Sequence, residues 1–476
     1  MKLHWKILIA LLSGFMVGLI FQYRSVEITV SESNLRYSED YADSNYKGVR
    51  VSSDSSQSVD DICLLNESIK KQVIKSKTSG FIFQLAEKIG IIFVRLLKML
   101  IVPLVFVSVV LGISNIGSGK RLGRLGAKTI GYYLSTSLIA IVVGLLLANI
   151  IRPGAGIESQ ECFEGKNLQT PNSLIDIVIR MIPTNPFEAM SVGTIKVDPT
   201  TSQVSTSPDM LGIIFFSIVL GVCINLVGGD VKKRIVQLFG DLYKIIIKLA
   251  SLIISLAPYG VFGLIVSKVA TSGLGAFILV GKYMLTITIG LSIHILVILP
   301  LIFYFTTGIS PLRHYRAMAT AMTTAFSTSS SSATLPATTE CVRNNVGVSK
   351  EVTGFVLPLG ATVNMDGTAL YECAGVLFIA QVLGIDLDLS AQIVVVITAL
   401  LASIGAAGIP SAGLVMIFIV TEAVGIPSDS AGWIIGIMLA VDRPLDMFRT
   451  MVNVFSDSTG AAVIAHTEGE NIYKLK

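Results

Sequence analysis

The chain has 476 residues, is 52% hydrophobic and only 14% charged, with a mean hydropathy of +0.73. Soluble domains run near 25% charged, so this composition excludes an ordinary soluble enzyme or binding module and describes a protein that crosses a bilayer repeatedly. The formal charge of +4 is modest, and neither zinc-finger spacing nor a long basic tract points to nucleic acid.

The first apolar run, about Ile7 to Phe21, follows Lys2 and Lys6 and has no small-residue cleavage site after it. It predicts an uncleaved first span with a cytoplasmic N-terminus. A polar segment at about 25–78, rich in Ser, Asp, Tyr and Asn, is expected to be a mobile external loop. Its Asn66-Glu67-Ser68 fits a glycosylation acceptor. Span 2 is expected over Phe81–Ile113, with Glu87, Arg95 and Lys98 at a tilted or interfacial end. The basic segment Gly117–Lys128 reads as a cytoplasmic loop before span 3, Thr129–Ile151, which ends at Pro153. Residues 154–169 are then external.

Between Leu174 and Lys248 the pattern is less regular. Apolar pieces at Ile175–Ile182 and Leu211–Val227 flank a Thr/Ser/Pro-rich insertion, which predicts one crossing built from short helices. Lys232, Lys233 and Arg234 mark the inside again. Spans 5 and 6 follow at Leu242–Val269 and Leu274–Tyr304, and Arg313, His314 and Arg316 mark the next cytoplasmic end. Beyond them the apolar segments are short: Ala317–Phe326, Val352–Leu359, Ala369–Leu383, Ile393–Ile404, Leu414–Val424 and Trp433–Val441. Most are too short for independent spans. Helices broken at membrane depth need a protein-lined cavity, as in secondary transporters.

Four stretches carry the chemistry. Ser327–Pro336 is a hydroxyl-rich run expected to be a hairpin tip, with a second helix over about Ala337–Val346; such a tip offers hydroxyls and free N–H groups to an anion. Leu357–Glu372 predicts a helix break at Gly360 or Gly367, with Asn364 and Asp366 supplying hard oxygen atoms for Na⁺ and Thr368 within reach of a substrate. Glu372, in apolar surroundings, is a candidate proton carrier unless a polar neighbour pairs with it. Ala402–Gly413 holds three glycines and a proline, and reads as a second tip or a packing kink.

The fourth stretch runs from Asp442 to Asp457. On a helix, Asp442, Asp446, Arg449, Asn453 and Asp457 fall within roughly 80° of arc. Intramembrane ionisable groups are functional candidates by default. The Arg449 fork suits a carboxylate and Asp446 suits an ammonium, so together they describe an acidic amino acid. Arg443 either neutralises Asp442 or reaches for the interface.

At these residues the chain resembles the glutamate/aspartate transporter family, the dicarboxylate/amino acid:cation symporters. The motifs are the serine run ending in Ala333-Thr334-Leu335-Pro336, Asn364-Met365-Asp366-Gly367-Thr368, Gly408-Ile409-Pro410, Arg449-Thr450-Met451-Val452-Asn453-Val454 and, upstream, Leu96–Pro103. The resemblance covers all but the loop at 25–78. It implies an all-α polytopic fold with eight transmembrane segments, two re-entrant helical hairpins, broken helices, inverted repeats and elevator-type transport as a homotrimer. Residues 1–128 and 153–272 (spans 1, 2, 4 and 5) would form the scaffold. Residues 129–152 (span 3) and 273–476 (span 6, hairpin 1, span 7, hairpin 2, span 8) would form the transport domain.

The resemblance also implies site residues. Substrate would touch Ser330, Ser331, Thr368, Gly408, Ile409, Pro410, Asp446, Arg449, Thr450 and Asn453. One sodium site would use Gly360, Asn364, Asn453 and Asp457; a second Thr362, Ser403, Ile404 and Ala406, with Met365 nearby; a third Tyr133, Thr136, Ser137, Asn364 and Asp366. No cofactor is expected beyond sodium as coupling ion, and the partners expected are the small acidic substrate and the lipid bilayer. Family members place an additional Arg either in the first hairpin, where this chain has Ser329, or in span 8, where it has Met447. Glu372 fits the animal and proton-coupled pattern.

The function implied is sodium-driven uptake of L-glutamate or L-aspartate, with a proton as a further coupling ion. Rivals are a C4-dicarboxylate or neutral amino acid symporter and, in another class, an ion channel. An enzyme is not expected, since no His-Glu-x-x-His or Gly-x-Ser-x-Gly motif occurs. The expected location is a plasma membrane or bacterial inner membrane, with both termini cytoplasmic. Cys63 and Cys162 would then share the external compartment, where a disulfide can form. Cys223, Cys341 and Cys373 are expected in or beside the membrane core as small packing residues.

Overall fold

In the computed structural model, the described residues are 6, 9–10, 12–17, 81–114, 120–155, 179, 182–191, 194–197, 204–272, 275–405, 412–426 and 428–473. Most of the first span, the loop at 25–78 with Cys63 and Asn66, Cys162, and residues 406–411 lie outside them.

The long apolar runs form helices. Among the described residues, Gln84–Ser114, Arg124–Ile151, Met210–Val227 and Leu279–Thr307 are long and apolar enough to cross a membrane. They belong to α1 (Phe81–Ser114), α2 (Lys120–Ile151), α4 (Met210–Val227), and α7 (Gly275–Ile293) with its continuation. The basic segment expected as a loop before span 3 is instead the first turns of α2. It contains no proline, and its arginines and lysines are good helix formers.

The chain between spans 3 and 4 is not a set of short helices alone. A short α3 (Pro186–Ser191) leads into an antiparallel hairpin of β1 (Thr194–Val197) and β2 (Val204–Ser207), which pairs Thr194 with Ser207 and Val197 with Val204. The fold is therefore helical with one β-hairpin rather than all-α. Thr194, Ile195 and Val197 in one strand and Val204 and Thr206 in the other are β-branched, which favours the extended backbone. Asp209 then caps α4 by accepting from the Gly212 N–H at 3.3 Å.

Span 5 is also corrected. α5 (Gly229–Ser255) and α6 (Ala257–Ser272) meet at a 47° bend around Leu256. The Lys232–Arg234 marker lies within α5, not in a loop. Span 6 continues from α7 through a π-turn at His294–Ile298 into α8 (Leu299–Thr307). The Tyr315 hydroxyl donates to the carbonyl of Ile295 inside that π-turn, satisfying a group whose helical partner is displaced.

The hydroxyl-rich run expected as a hairpin tip is mostly helix, and the second helix begins at Ser331 rather than near Ala337. α9 (Pro311–Thr328) ends with Ser329 at φ 51°, and α10 (Ser331–Cys341) starts after Ser330, whose side chain accepts from Ala333 N–H at 3.2 Å. Only two residues link the pair, because a capping serine replaces the loop. A second π-turn, Val342–Val346, ends α10. Next come α11 (Lys350–Val363), α12 (Asp366–Val382), α13 (Leu389–Gly405), α14 (Ala412–Ala423) and the 40-residue α15 (Ser428–Thr467).

Two groups of helices pack together. α1 lies against α4, α5 and α6. α12 lies against α2, α13, α14 and α15, and α15 also contacts α7, α9 and α11. α12 is buried around its whole circumference from Asp366 to Ala380. Cys341 and Cys373 are buried, and Cys223 is exposed on α4, a helix apolar enough to cross a membrane.

The segment after α15 ties the base of the second group. Glu468 accepts from Arg124 and Lys128, each at 2.6 Å. Those two hydrogen bonds, Arg124's first, hold its carboxyl down to about 2. Glu470 accepts from the N–H and hydroxyl of Ser349 at 2.9 and 2.6 Å. Tyr473 donates its N–H to Val346 O at 2.7 Å, its hydroxyl lies 2.6 Å from His314 Nδ1, and its carbonyl accepts from Arg313 at 2.6 Å.

Candidate functional site

The helical arc read from the sequence exists. α15 buries Asp442, Asp446, Arg449, Asn453 and Asp457. Pro444 sits inside it without interrupting the helix. Arg449, 1% exposed, is the largest fully buried side chain described. Its Nη2 lies 2.7 Å from Asp446 Oδ1 and 3.2 Å from Asp442 Oδ1. Its guanidinium carbon stands 3.8 Å over the Tyr371 ring on α12, a cation–π contact strengthened by dryness. Asp442 therefore faces Arg449. Arg443 neither pairs with Asp442 nor only reaches outward, because its Nη1 lies 4.0 Å from Asp446 Oδ2. A 100° turn separates 442 from 443, whereas 446 is nearly in line with 443.

Two donors of the fork, Nε and Nη1 of Arg449, have no hydrogen-bond partner among the described residues. Unmade bonds from a buried cation are costly. A Cβ on Gly413, on α14, would stand 3.0 Å from Nη1. The missing side chain gives the guanidinium room, which puts α14 beside the open donors.

The break in span 7 falls at Asn364-Met365, between α11 and α12, and not at either glycine. Gly360 lies inside α11, where a Cβ would meet Asp457 Oδ1 at 2.4 Å and the Tyr133 hydroxyl at 2.6 Å. Its role is close approach. Asn364 Nδ2 donates to Asp457 Oδ1 at 2.9 Å and to Ser456 Oγ at 3.0 Å. The Gly367 N–H donates to Asn453 Oδ1 at 2.8 Å, and Asn453 Nδ2 reaches Thr368 Oγ1 at 3.3 Å. Breaking the helix is what turns these side chains and carbonyls toward α15.

Asp366 collects the densest set of contacts. Ser137 donates to its Oδ1 at 2.7 Å, and Thr136 Oγ1 lies 3.2 Å from the same atom and 3.4 Å from Asn364 Oδ1. Its Oδ2 accepts from Ser456 at 2.6 Å and lies 3.0 Å from His294 Nε2. The Tyr133 hydroxyl donates to Val356 O at 2.8 Å. Tyr133, Thr136, Ser137, Asn364 and Asp366 are thus gathered in one buried region. Gly360, Asn364, Asn453 and Asp457 adjoin it.

The other expected positions are less completely assembled. Met365 and Ser403 are buried, Thr362 is half-buried and Ile404 is 9% exposed. α11 and α13 touch, but Ala406 lies outside the described residues, as do Gly408, Ile409 and Pro410. Ser331 and Thr450 are buried and Ser330 half-buried, with α10 packed on α15. The Glu372 carboxyl is fully buried, and neither oxygen has a hydrogen-bond partner among the described residues.

Three partners went unread in the sequence. Tyr371 and Ser456 flank motif residues, and their i+3 relations to Thr368 and Asn453 were available as signals. His294 had one signal, a lone imidazole in an apolar span. Among the described residues no group of three His, Cys, Asp or Glu side chains is placed to hold a metal ion. What the region offers a cation is hydroxyl, amide and carbonyl oxygen around single carboxylates.

The chain is 36% identical to an excitatory amino acid transporter of Caenorhabditis elegans over 409 residues, covering 79% of this chain and 80% of that protein. It is 37% identical to human excitatory amino acid transporter 2 over 420 residues, 79% of this chain and 72% of that one. Mouse excitatory amino acid transporter 3 is 36% identical over 412 residues, 79% and 78% of the two chains. The model of the sodium:dicarboxylate symporter family matches residues 3–467. With that match running through the apolar helices, the break at Asn364 and the buried Arg449, the chain is a multi-pass membrane transporter that belongs to the sodium:dicarboxylate symporter family.

Proposed function

We propose that the protein takes up an acidic amino acid, L-glutamate or L-aspartate, by symport with sodium. One observation carries the reading: a buried guanidinium with two open donors, set beside carboxylates on the same helix face. The open donors suit the side-chain carboxylate of the substrate in a fork-to-fork pair. Asp446 takes its ammonium, and Thr368, Thr450, Asn453, the Ser330-Ser331 tip and the Gly408-Ile409-Pro410 loop enclose it. The three named relatives are excitatory amino acid transporters.

Sodium binds as a coupling ion at the donor sets around Asp366 and Asp457. Oxygen atoms from a broken helix are the usual cation ligands of such carriers. A third set is completed by Thr362, Ser403, Ile404 and Ala406 with Met365. Glu372, a carboxyl with no hydrogen-bond partner, carries a coupled proton. The two packing groups support a scaffold built around α1 and a transport domain built around α12 and α15. The α9–α10 pair and the α13–α14 pair act as the two re-entrant hairpins of an eight-span, elevator-type homotrimer. Both termini are cytoplasmic, and Cys63 and Cys162 face the outside together.

A C4-dicarboxylate is the second reading, favoured by the family's description. It would fill the Arg449 fork and leave Asp446 without an ammonium. Uptake of labelled aspartate into proteoliposomes under a sodium gradient, competed with glutamate, succinate and serine, separates the two. Competition by glutamate but not succinate supports the amino acid. Competition by succinate alone removes it, and uptake that never exceeds equilibrium points to a channel.

A further inference from the structure

Asp446 lies between two guanidiniums on its own helix. Arg449, three residues later, holds Oδ1 at 2.7 Å. Arg443, three residues earlier, approaches Oδ2 at 4.0 Å. The two cations differ in setting. The Arg449 side chain is 1% exposed, whereas that of Arg443 is 30% exposed and sits at the rim. Neither Ser329, buried with an unpartnered hydroxyl, nor the half-buried Met447 offers the site a charge. Among the described residues, Arg443 is thus the second cation in ion-pair range of the carboxylate. It is also the cation whose half-exposed side chain is free to leave.

We infer that Arg443 is a positioning residue that occupies Oδ2 of Asp446 in the empty site and yields it to the ammonium of the incoming substrate. The inference rests on the amino acid reading above. An internal cation keeps the carboxylate in its binding rotamer and compensated while no substrate is present. A buried carboxylate lacking such compensation would rotate or take a proton. The same contact must be broken when the substrate amine arrives, so Arg443 weakens binding and speeds release. Its longer-range attraction for the substrate's carboxylates runs the other way. That attraction is screened within about 8–10 Å at physiological salt, whereas Arg443 stands 4.0 Å from Oδ2, well inside that range, so competition wins.

The test is binding of L-aspartate to the purified full-length protein in sodium-containing buffer, with succinate as a competitor that has no ammonium. Arg443→Gln should bind aspartate about two- to fivefold more tightly, the range a partly exposed ion pair supports, and succinate should compete no better than in wild type. Arg443→Lys keeps the cation and should restore the wild-type affinity, which loss of a merely structural contact would not do. Unchanged or weaker aspartate binding in Arg443→Gln overturns the inference, as does failure of lysine to restore it. The underlying reading fails separately. If wild type binds no aspartate, or Arg449→Ala binds it normally, the substrate assignment falls and Arg443 falls with it. If binding depends on Arg449 and ignores Arg443, this inference alone is lost.

Discussion

His294 Nε2 lies 3.0 Å from Asp366 Oδ2, and both side chains are fully buried. The imidazole stands at the first residue of a π-turn, the local widening that brings a span-6 side chain into reach of the span-7 break. With Ser456 it fixes one carboxylate oxygen, so the other is presented to Thr136 and Ser137.

Replacing that imidazole should therefore act on the cation rather than on the amino acid. Groups that orient a metal ligand typically change affinity 10- to 100-fold when removed. His294→Phe should raise the sodium concentration for half-maximal aspartate uptake about tenfold or more. His294→Gln, which keeps a donor, should do so less. Sodium titrations of uptake at fixed aspartate check this, and equal effects of the two variants would count against an orienting hydrogen bond.

Arg449→Ala removes the cation that compensates two buried carboxylates. Acidic-substrate uptake should be abolished. Breaking a buried pair costs about 3–5 kcal/mol, so thermal stability should fall as well. Arg449→Ala combined with Asp442→Asn should recover part of the stability and none of the uptake. Thermal unfolding and uptake measured on the same preparations distinguish the two losses.

Glu372→Gln keeps the shape of a carboxyl that makes no hydrogen bond among the described residues. The fold should tolerate it within about 1 kcal/mol, since no pair is broken. The pH dependence of uptake should flatten, as one titrating group is gone. Uptake profiles of wild type and variant across the neutral range provide the comparison; identical profiles would exclude Glu372 as the proton carrier.

Glu468 titrates near 2 in the folded protein and near 4.5 otherwise. Because the folded value is the lower one, its contribution to stability is complete above 4.5 and is lost as the pH falls toward 2. Glu468→Gln should lower the Tm slightly at neutral pH and remove part of the acid dependence in that window. Raising the salt concentration should shrink the difference, since the Arg124 partner is largely exposed.

Gly360→Ala would drive a methyl group into Asp457 and Tyr133. Overpacking of this kind costs about 1–3 kcal/mol. Denaturation of the purified protein should register that loss, while Gly354→Ala on the same helix, with open space at its Cβ, should be neutral or slightly stabilising.

The sequence was most informative where polarity was out of place. The arc from Asp442 to Asp457 was legible because an apolar chain has little other use for three carboxylates and an arginine on one helix face. The break in span 7 was legible as a region, but its location was not. Glycine signals both flexibility and close approach, and Gly360 turned out to serve approach while Asn364 ends the helix. The turn in the hydroxyl-rich run was legible as a region, but its confinement to Ser329-Ser330 was not, for a related reason. Hydroxyl residues favour loops and N-caps alike, and only the Ser330-to-Ala333 bond decides between them. His294 and Tyr371 carried only weak local signals, and their partners lie 72 and 78 positions away.

The clasp formed by residues 468–473 has a temporal meaning. Every helix it grips, from Arg124 through His314 to Ser349, is synthesised before it. During translation those segments exist with these ends unfastened. The base of the α9–α10 pair thus becomes fixed only after the arginine-bearing helix has been made. A ribosome stalled inside α15 would leave an inserted but unlatched protein, a natural target for quality control.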